Sequence, residues 1–436
     1  MSNMQTIISG NKNLINSTKE EGYNSKKKFI LSPFNYYQSM ADGVLVYNTL
    51  TDSMVELSQE EYRILQGKKK GNVQLKKSFC DVGLIIPEGT DLKKMYLEEA
   101  AEARKKDTYY FSANITTTLK CNARCYYCYE RGVRHSDFLK RNLPKVVKFL
   151  KKRVGPDNFL MLNWFGGEPL LNPAAIDYIT TELKKAKINF SSYIITNGIL
   201  IHQKMIDRKF KKWNVGDVQI TLDGLAETYE KTKAYVDQKR NIYARILNKI
   251  KQVGEAGIRV HIRLNVSQQN AEEILQVVAM LKERYSDIDT ITWYPAFLTG
   301  VNNKMSEEDR SNFVYRMLKI TANPAKMNMS RRFYAQPKCR PCMRNDSRSY
   351  SIDVSGNIFS CEHQVGNKQY AIGTLDSFDD VKNEERADIV LREECQDCVF
   401  LPKCMGGCAV NLETDDEPCL IEKYLIQGYL KYMSES

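Results

Sequence analysis

Cys121-Asn122-Ala123-Arg124-Cys125-Tyr126-Tyr127-Cys128 sets three cysteines at CxxxCxxC spacing in a 436-residue chain that has only twelve. At that frequency the pattern arises by chance about 0.01 times per sequence, so the spacing carries information. Thiolates are the ligands of iron–sulfur clusters, and a four-iron cubane normally takes four of them. Three leave one iron open. A metal with a vacant position can bind a small molecule, as catalytic zinc keeps a place for water or substrate. The alternative is zinc held by these thiols and a remote fourth ligand.

Working outward, 64 Lys+Arg stand against 53 Asp+Glu, a net charge of +11, and 42% of the residues are hydrophobic. Such a chain folds, into two to four domains at roughly 100–200 residues each. No stretch approaches the ~20 apolar residues of a membrane span. Residues 1–28 are polar and Lys-rich, without a signal core. The expectation is a soluble cytoplasmic protein, where clustered cysteines serve as metal ligands or redox groups rather than disulfides. The four histidines, His135, His202, His261 and His363, are scattered, which disfavours Cys/His zinc fingers and His-driven acid–base chemistry.

From Tyr109 onward short β-rich runs at 111–117, 158–165, 191–196, 218–222, 259–266 and 290–296 alternate with amphipathic stretches at 143–153, 174–187, 241–256 and 271–285. That alternation predicts an α/β fold with a parallel sheet, a full or partial barrel. In such barrels the chemistry sits on loops at the C-terminal ends of strands. The unusual polar motifs all fall there: the cysteine triplet after strand one, Gly166-Gly167-Glu168-Pro169 after strand two, Thr196-Asn197-Gly198 after strand three, Thr221-Leu222-Asp223-Gly224 after strand four, Asn265 and Ser267 after strand five, and Tyr294-Pro295-Ala296 at strand six.

On these residues, over about Tyr109 to Leu420, the chain resembles the radical S-adenosylmethionine (SAM) superfamily, and within it the members with a C-terminal SPASM domain. The resemblance implies a partial (β/α)6 barrel in which Cys121, Cys125 and Cys128 hold a 4Fe-4S cluster whose open iron chelates SAM. It places Tyr127 near adenine, makes Gly166, Gly167 and Glu168 the loop for the SAM amino group, and gives Thr221 a SAM contact. Asn197, Asp223 and Ala296, at the ends of neighbouring strands, join the expected cofactor-binding set. Twelve residues beyond Thr221, where many relatives carry Arg, this chain has Lys233, which keeps the charge and loses the two-pronged carboxylate grip.

The C-terminal cysteines resemble the SPASM pattern as well: Cys342, Gly356, Cys361, then Cys395, Cys398, Cys404 and Cys408, then Cys419, with Cys339 in addition. The resemblance assigns Cys339, Cys342, Cys361 and Cys408 to a first auxiliary 4Fe-4S cluster and Cys395, Cys398, Cys404 and Cys419 to a second. With the SAM-binding cluster that makes three, and leaves Cys80 over as a small buried hydrophobe. The alternative for the eight thiols is a pair of zinc knuckles, since all-thiolate tetrahedral sites suit either metal. Glu362 follows Cys361 where some relatives carry an acidic general base. A surface carboxylate without a role is the competing reading.

Boundaries follow: 1–25 disordered, 26–107 a winged-helix-like leader-peptide-binding domain, 108–320 the barrel and 321–436 the SPASM domain. In the second segment a hairpin (43–47 with 54–57) and helices at 59–65 and 73–82 resemble domains that hold a precursor's leader by adding a strand to a sheet edge. A plain structural cap is the alternative. The Lys26–Lys28 and Lys68–Lys70 runs read as solvated faces, or as steering of acidic partners. No nucleic-acid motif and no membrane segment accompany them. The expected partners are a ribosomally made precursor peptide with a leader, and a flavodoxin or ferredoxin as electron donor. The function implied is a radical SAM peptide maturase, an oxidoreductase that takes a hydrogen from a substrate carbon through a 5′-deoxyadenosyl radical and forms a thioether. The alternatives are an anaerobic sulfatase-maturing enzyme and a non-catalytic iron–sulfur or zinc-binding module.

Overall fold

The protein is described by a computed structural model over residues 5–8, 26–105, 109–128, 136–237, 241–298, 305–329, 338, 342–377, 391–408, 419 and 421–435. Aromatic and β-branched residues, frequent in the N-terminal segment, favour β structure there. After β1 (Gln5–Ile8) and β2 (Phe29–Leu31), strands β3 (Asn35–Ser39), β4 (Gly43–Asn48) and β5 (Met54–Ser58) form an antiparallel meander. β1 pairs with β5, giving the order β1-β5-β4-β3. Residues 5–8 therefore depart from the disorder expected of 1–25, because β5 offers them an open edge; the remainder of 1–25 lies outside the described residues. Helix α1 (Gln59–Leu65) starts where Ser58 and Glu61 cap each other reciprocally, and α2 (Val73–Asp81) starts at Asn72, whose side chain accepts from the Leu75 amide. β6 (Ile85–Pro87) returns to pair with β2, and α3 (Leu92–Lys105) follows.

The barrel strands are β7 (Tyr110–Thr118), β8 (Phe159–Gly166), β9 (Asn189–Thr196), β10 (Val215–Leu222), β11 (Arg259–Val266) and β12 (Ile291–Phe297), all parallel and adjacent in sequence order. Between them run α4 (Leu143–Val154), α5 (Pro173–Lys185), α6 (Ala226–Lys233), α7 (Ile242–Glu255) and α8 (Ala271–Tyr285). One face of each strand packs under these helices: Leu160, Leu162 and Trp164 of β8, Val218, Ile220 and Leu222 of β10, and Val260, Ile262 and Leu264 of β11 are all fully buried. The alternating positions, such as Asn114, Asn163, Tyr193, Gln219 and Arg263, turn the other way and give the barrel a polar interior. This is a partial barrel of six parallel strands, as expected of an α/β protein.

The sheet does not stop where the barrel ends in sequence. After α9 (Glu307–Thr321), β13 (Ser349–Ile352) lies parallel beside β7, and β14 (Asn357–Phe359) and β15 (Gly373–Thr374) extend it to nine strands. The cut at residue 320 thus falls inside one hydrophobic core, which also takes in Met327, Met329, Tyr350 and Ile352. Two short helices, α10 (Glu393–Gln396) and α11 (Leu401–Cys404), carry the late cysteines, and α12 (Ile421–Met433) packs on α9. At Gly428 a Cβ would meet the Ser311 carbonyl oxygen and Val314 at 2.7 Å, so glycine permits that close helix approach.

The N-terminal domain is docked on this C-terminal region. Asp52 accepts from both Tyr47 Oη and Lys403 Nζ at 2.5 Å, the Thr49 hydroxyl donates to the Val399 carbonyl, and the Tyr36 and Phe400 rings stand 5.2 Å apart. Phe34, Leu50, Leu92 and Tyr96 share one buried cluster with Leu401 and Met405. Burial raises the Asp52 carboxyl and lowers the Lys403 ammonium, as expected of a charge pair withdrawn from water.

Candidate functional site

The cysteine loop leaves β7 at Thr118 and is held by backbone bonds before any side chain acts. Gly167 N–H donates to the Thr118 carbonyl at 3.0 Å and Glu168 N–H to the Lys120 carbonyl at 2.9 Å. A Cβ at Gly166 would lie 2.2 Å from the Thr118 oxygen, and one at Gly167 would lie 2.4 Å from the Lys120 oxygen and 3.1 Å from Cys121 Cβ. The two glycines are needed because the loop after β8 lies flush against the cysteine loop. Their close approach is to protein backbone, a role the resemblance alone did not suggest.

Glu168 is fully buried, and its oxygens accept from Leu170 N–H at 3.0 Å, Thr196 Oγ1 at 2.7 Å and Asn197 N–H at 2.8 Å. Burial raises its carboxyl and the three bonds oppose that rise. Its carboxylate is thereby committed to fastening the β9 loop to the β8 loop. Asn197 carries the tie onward, its Nδ2 donating to Asn122 Oδ1 at 2.7 Å inside the cysteine motif. Asn122 was not singled out from the sequence, although a short polar side chain between two proposed ligands is the signal that marks it.

The β10 end supplies a buried ion pair. Lys233 Nζ lies 3.0 Å from Asp223 Oδ2 and donates to Tyr127 Oη at 2.9 Å, and the Asn265 amide donates to Asp223 Oδ1 at 2.8 Å. Burial alone would lower the lysine, but Asp223 overrides it and holds Lys233 well above its ordinary value; burial likewise keeps the Tyr127 phenol protonated. The Lys233 carbonyl accepts from Arg124 N–H at 2.8 Å, so the same residue braces the cysteine loop from behind. Instead of reaching outward as a substitute for the relatives' arginine, its ammonium is occupied by Asp223 and Tyr127. Thr221 faces the interior opposite Arg263, and Ala296 stands opposite Asn265 at the rim.

Cys121, Cys125 and Cys128 lie half-buried on one loop. Burial, joined by the nearby Glu168 carboxylate and the other two sulfurs, pushes Cys121 up to about 11, while the Ala123 N–H at 3.4 Å pulls the other way. Three such thiols become thiolates together when a cationic metal centre balances them, so the donor set fits an iron–sulfur cluster. In the C-terminal region Cys342, Cys361 and Cys408 lie within electrostatic reach of one another, and burial pushes Cys361 up to about 12. Cys395 and Cys398 share a turn, the Cys398 N–H donating to the Cys395 carbonyl, with Cys404 at the end of α11. Cys339 lies outside the described residues. Among those described, no three His, Cys, Asp or Glu side chains close around a point the size of a single ion.

Glu362 Oε2 accepts from Asn114 Nδ2 at 2.7 Å, and Asn114 Oδ1 accepts from Asn163 Nδ2 at 2.6 Å. The carboxylate beside Cys361 is thus drawn into the barrel interior. Further in, Gln219 Oε1 accepts from Tyr193 at 3.0 Å and Tyr294 at 2.6 Å, and Arg263 Nε donates to Asn265 Oδ1 at 3.0 Å. Of these, Asn265 and Tyr294 were singled out in the sequence, whereas Asn114, Asn163, Tyr193, Gln219 and Arg263, at inward positions of otherwise apolar strands, were readable in the pattern and went unremarked.

The first loop of this barrel of parallel strands thus carries three cysteines and is braced by the loops after the next three strands. Residues 115–284 match the radical SAM superfamily model, so the chain carries a radical SAM domain over that segment. It is 22% identical over 372 residues to the serine-type anaerobic sulfatase-maturating enzyme of Bacteroides thetaiotaomicron, covering 72% of this chain and 86% of that one. Among solved structures, native anSMEcpe with bound AdoMet and Cp18Cys peptide superposes with a TM-score of 0.58 at 14% identity, over 75% of this chain and 96% of that one. Streptococcus suis SuiB bound to precursor peptide SuiA gives 0.51 at 17% identity, over 89% and 97%. Two other curated relatives are matched over only 46% and 54% of their length. No described helix is long and apolar enough to cross a membrane.

Proposed function

We propose that this enzyme is a peptide maturase that forms a thioether in a ribosomally made precursor, with Cys121, Cys125 and Cys128 holding the SAM-binding cluster and two further clusters on the C-terminal cysteines. The observation that carries this reading is the N-terminal sheet fixed to the C-terminal cysteine region through Asp52 and Lys403. anSMEcpe, bound to its Cp18Cys peptide, covers three-quarters of this chain, and SuiB, bound to precursor peptide SuiA, covers 89%, which supports a peptide as substrate. β3 has no second neighbour among the described residues, and its edge suits a leader segment adding as a strand.

When bound, the SAM-loaded cluster supplies the 5′-deoxyadenosyl radical that takes hydrogen from a substrate carbon. The chain's own residues position and exclude. Asn122, Asn197 and Glu168 fix the cysteine loop, the Asp223–Lys233 pair backs it, and Asn114 aims Glu362 into the interior. Joining a thiol to a carbon radical releases a proton and an electron; Glu362 is placed to take the proton, and a cluster on the C-terminal cysteines would take the electron. A flavodoxin or ferredoxin would supply the starting electron. Glu362→Gln is expected to leave SAM cleavage intact while product falls by about 10²–10⁴-fold. Co-expression with the genomically adjacent small peptide, followed by mass spectrometry, tests the whole reading: loss of two hydrogens between a cysteine and another residue supports it, and an unmodified peptide ends it. The 22% identity to a sulfatase-maturating enzyme over most of its length favours formylglycine formation as the second reading, which a sulfatase-derived peptide in the same assay would reveal.

A further inference from the structure

The two C-terminal cysteine sets sit in different electrostatic settings. Arg392 caps α10: its carbonyl accepts from Cys395 N–H at 3.0 Å, and its Nη2 lies 3.8 Å from Cys395 Sγ. Glu394 holds the other arm of the guanidinium at 2.6 Å, so the fork is aimed at the sulfur and not left to swing. From the first turn of α12, Lys423 is pinned by Glu307 at 2.6 Å with its side chain only 15% exposed. Arg392 acts on Cys395 and Cys419, and Lys423 on Cys419 and Cys398. Cys398 also lines a cleft of about 520 Å³ between Phe34, Ile86, Leu92 and α10, which brings this set toward solvent. At the first set the adjoining charge is the Glu362 carboxylate, fixed by Asn114; Arg344 beside Cys342 offsets it in part.

Hydrogen bonds to cluster sulfurs, net charge and solvent access set the reduction potential of an iron–sulfur centre. A cation near the ligands favours the added electron, and a carboxylate opposes it. Resting on the reading that both sets hold clusters, we propose that Arg392, supported by Lys423, makes the second cysteine set the more easily reduced of the two. An electron left at the first set, beside the barrel interior, would then move downhill to the second; one centre would lose one electron, the other gain it, and no further reactant is required. Arg392 and Lys423 are positioning residues for that transfer.

The test is a redox titration of the full-length, anaerobically reconstituted enzyme followed by electron paramagnetic resonance. Iron analysis comes first: about twelve irons per chain is the content of three cubanes, and about four would show that the auxiliary-cluster reading itself has failed, taking the inference with it. With twelve present, Arg392→Gln should lower one auxiliary midpoint by a tenfold change in the reduction equilibrium, about 59 mV for a one-electron couple. Lys423→Gln should shift the same signal the same way by less, and Arg392→Lys should recover part of the loss. Glu362→Gln should raise the other auxiliary signal. Unchanged midpoints in Arg392→Gln and Lys423→Gln, or a shift of the signal that Glu362→Gln moves, would overturn the proposal. Should Arg392→Gln fail to load iron, Lys423→Gln decides alone.

Discussion

Two aspartates six residues apart mark the two ends of β10, and each is paired with a cation for a different purpose. At the N-terminal end Asp217 takes both arms of Arg259, at 2.7 and 2.6 Å, and His261 Nε2 at 2.9 Å; the other His261 nitrogen is 3.1 Å from Thr292 Oγ1. Arg259 is 58% exposed, so that pair is screened and works as a clasp across β10, β11 and β12. At the C-terminal end Asp223 and Lys233 are almost wholly withdrawn from water, and what they brace is the cysteine loop. The same charge chemistry closes the barrel at one end and holds a reactive loop at the other. Burial decides how much each end loses when a partner is removed.

The contrast can be broken from either end. The largest effect belongs to the mouth: Cys125→Ser should abolish 5′-deoxyadenosine release from SAM and dithionite while the circular dichroism spectrum stays that of the wild type. Asp223→Asn leaves a buried ammonium uncompensated and should cost about 3–5 kcal/mol in denaturant unfolding, with impaired iron loading; a loss no greater than that of Asp217→Asn would erase the distinction between the ends. Gly167→Ala forces a Cβ against the Lys120 carbonyl and should destabilise by about 1–3 kcal/mol, read as a lower midpoint and a slower reconstitution. Arg259→Gln, an exposed partner, should cost less than about 1 kcal/mol.

The clasp also has a pH signature. Burial alone would raise Asp217, but His261 and Arg259 override it and hold the carboxyl below its ordinary value of 3.8. A carboxyl depressed in the folded state stabilises above its unfolded value, and that stabilisation is lost as the pH falls through the folded one. Thermal unfolding of the wild type should therefore weaken below pH 3.8 more steeply than that of Asp217→Asn, and parallel acid limbs would show that the clasp does not titrate with folding.

The six barrel strands and the loop motifs at their ends were legible because each is a local pattern: alternation of period two, glycine pairs, and thiols a few residues apart. The helices 307–321 and 421–433 went unremarked, since their apolar faces are understood only once each has the other to cover it. Strands β13 to β15 are four, three and two residues long, too short to signal without β7 beside them. The resemblance placed Lys233 by its spacing from Thr221, but nothing local could show that its ammonium is spent on Asp223 and Tyr127.

By itself the sequence determined the chemistry on offer: which thiols stand close enough along the backbone to share a metal centre, and which barrel would present them. Covalent spacing fixes such groups whatever the rest of the chain does. Only the tertiary structure decided that Asn114 draws Glu362 inward across 248 residues and that Asp52 meets Lys403 across 351. Contacts at that separation exist because the sheet and core have already closed the intervening chain, so no short stretch of residues encodes them.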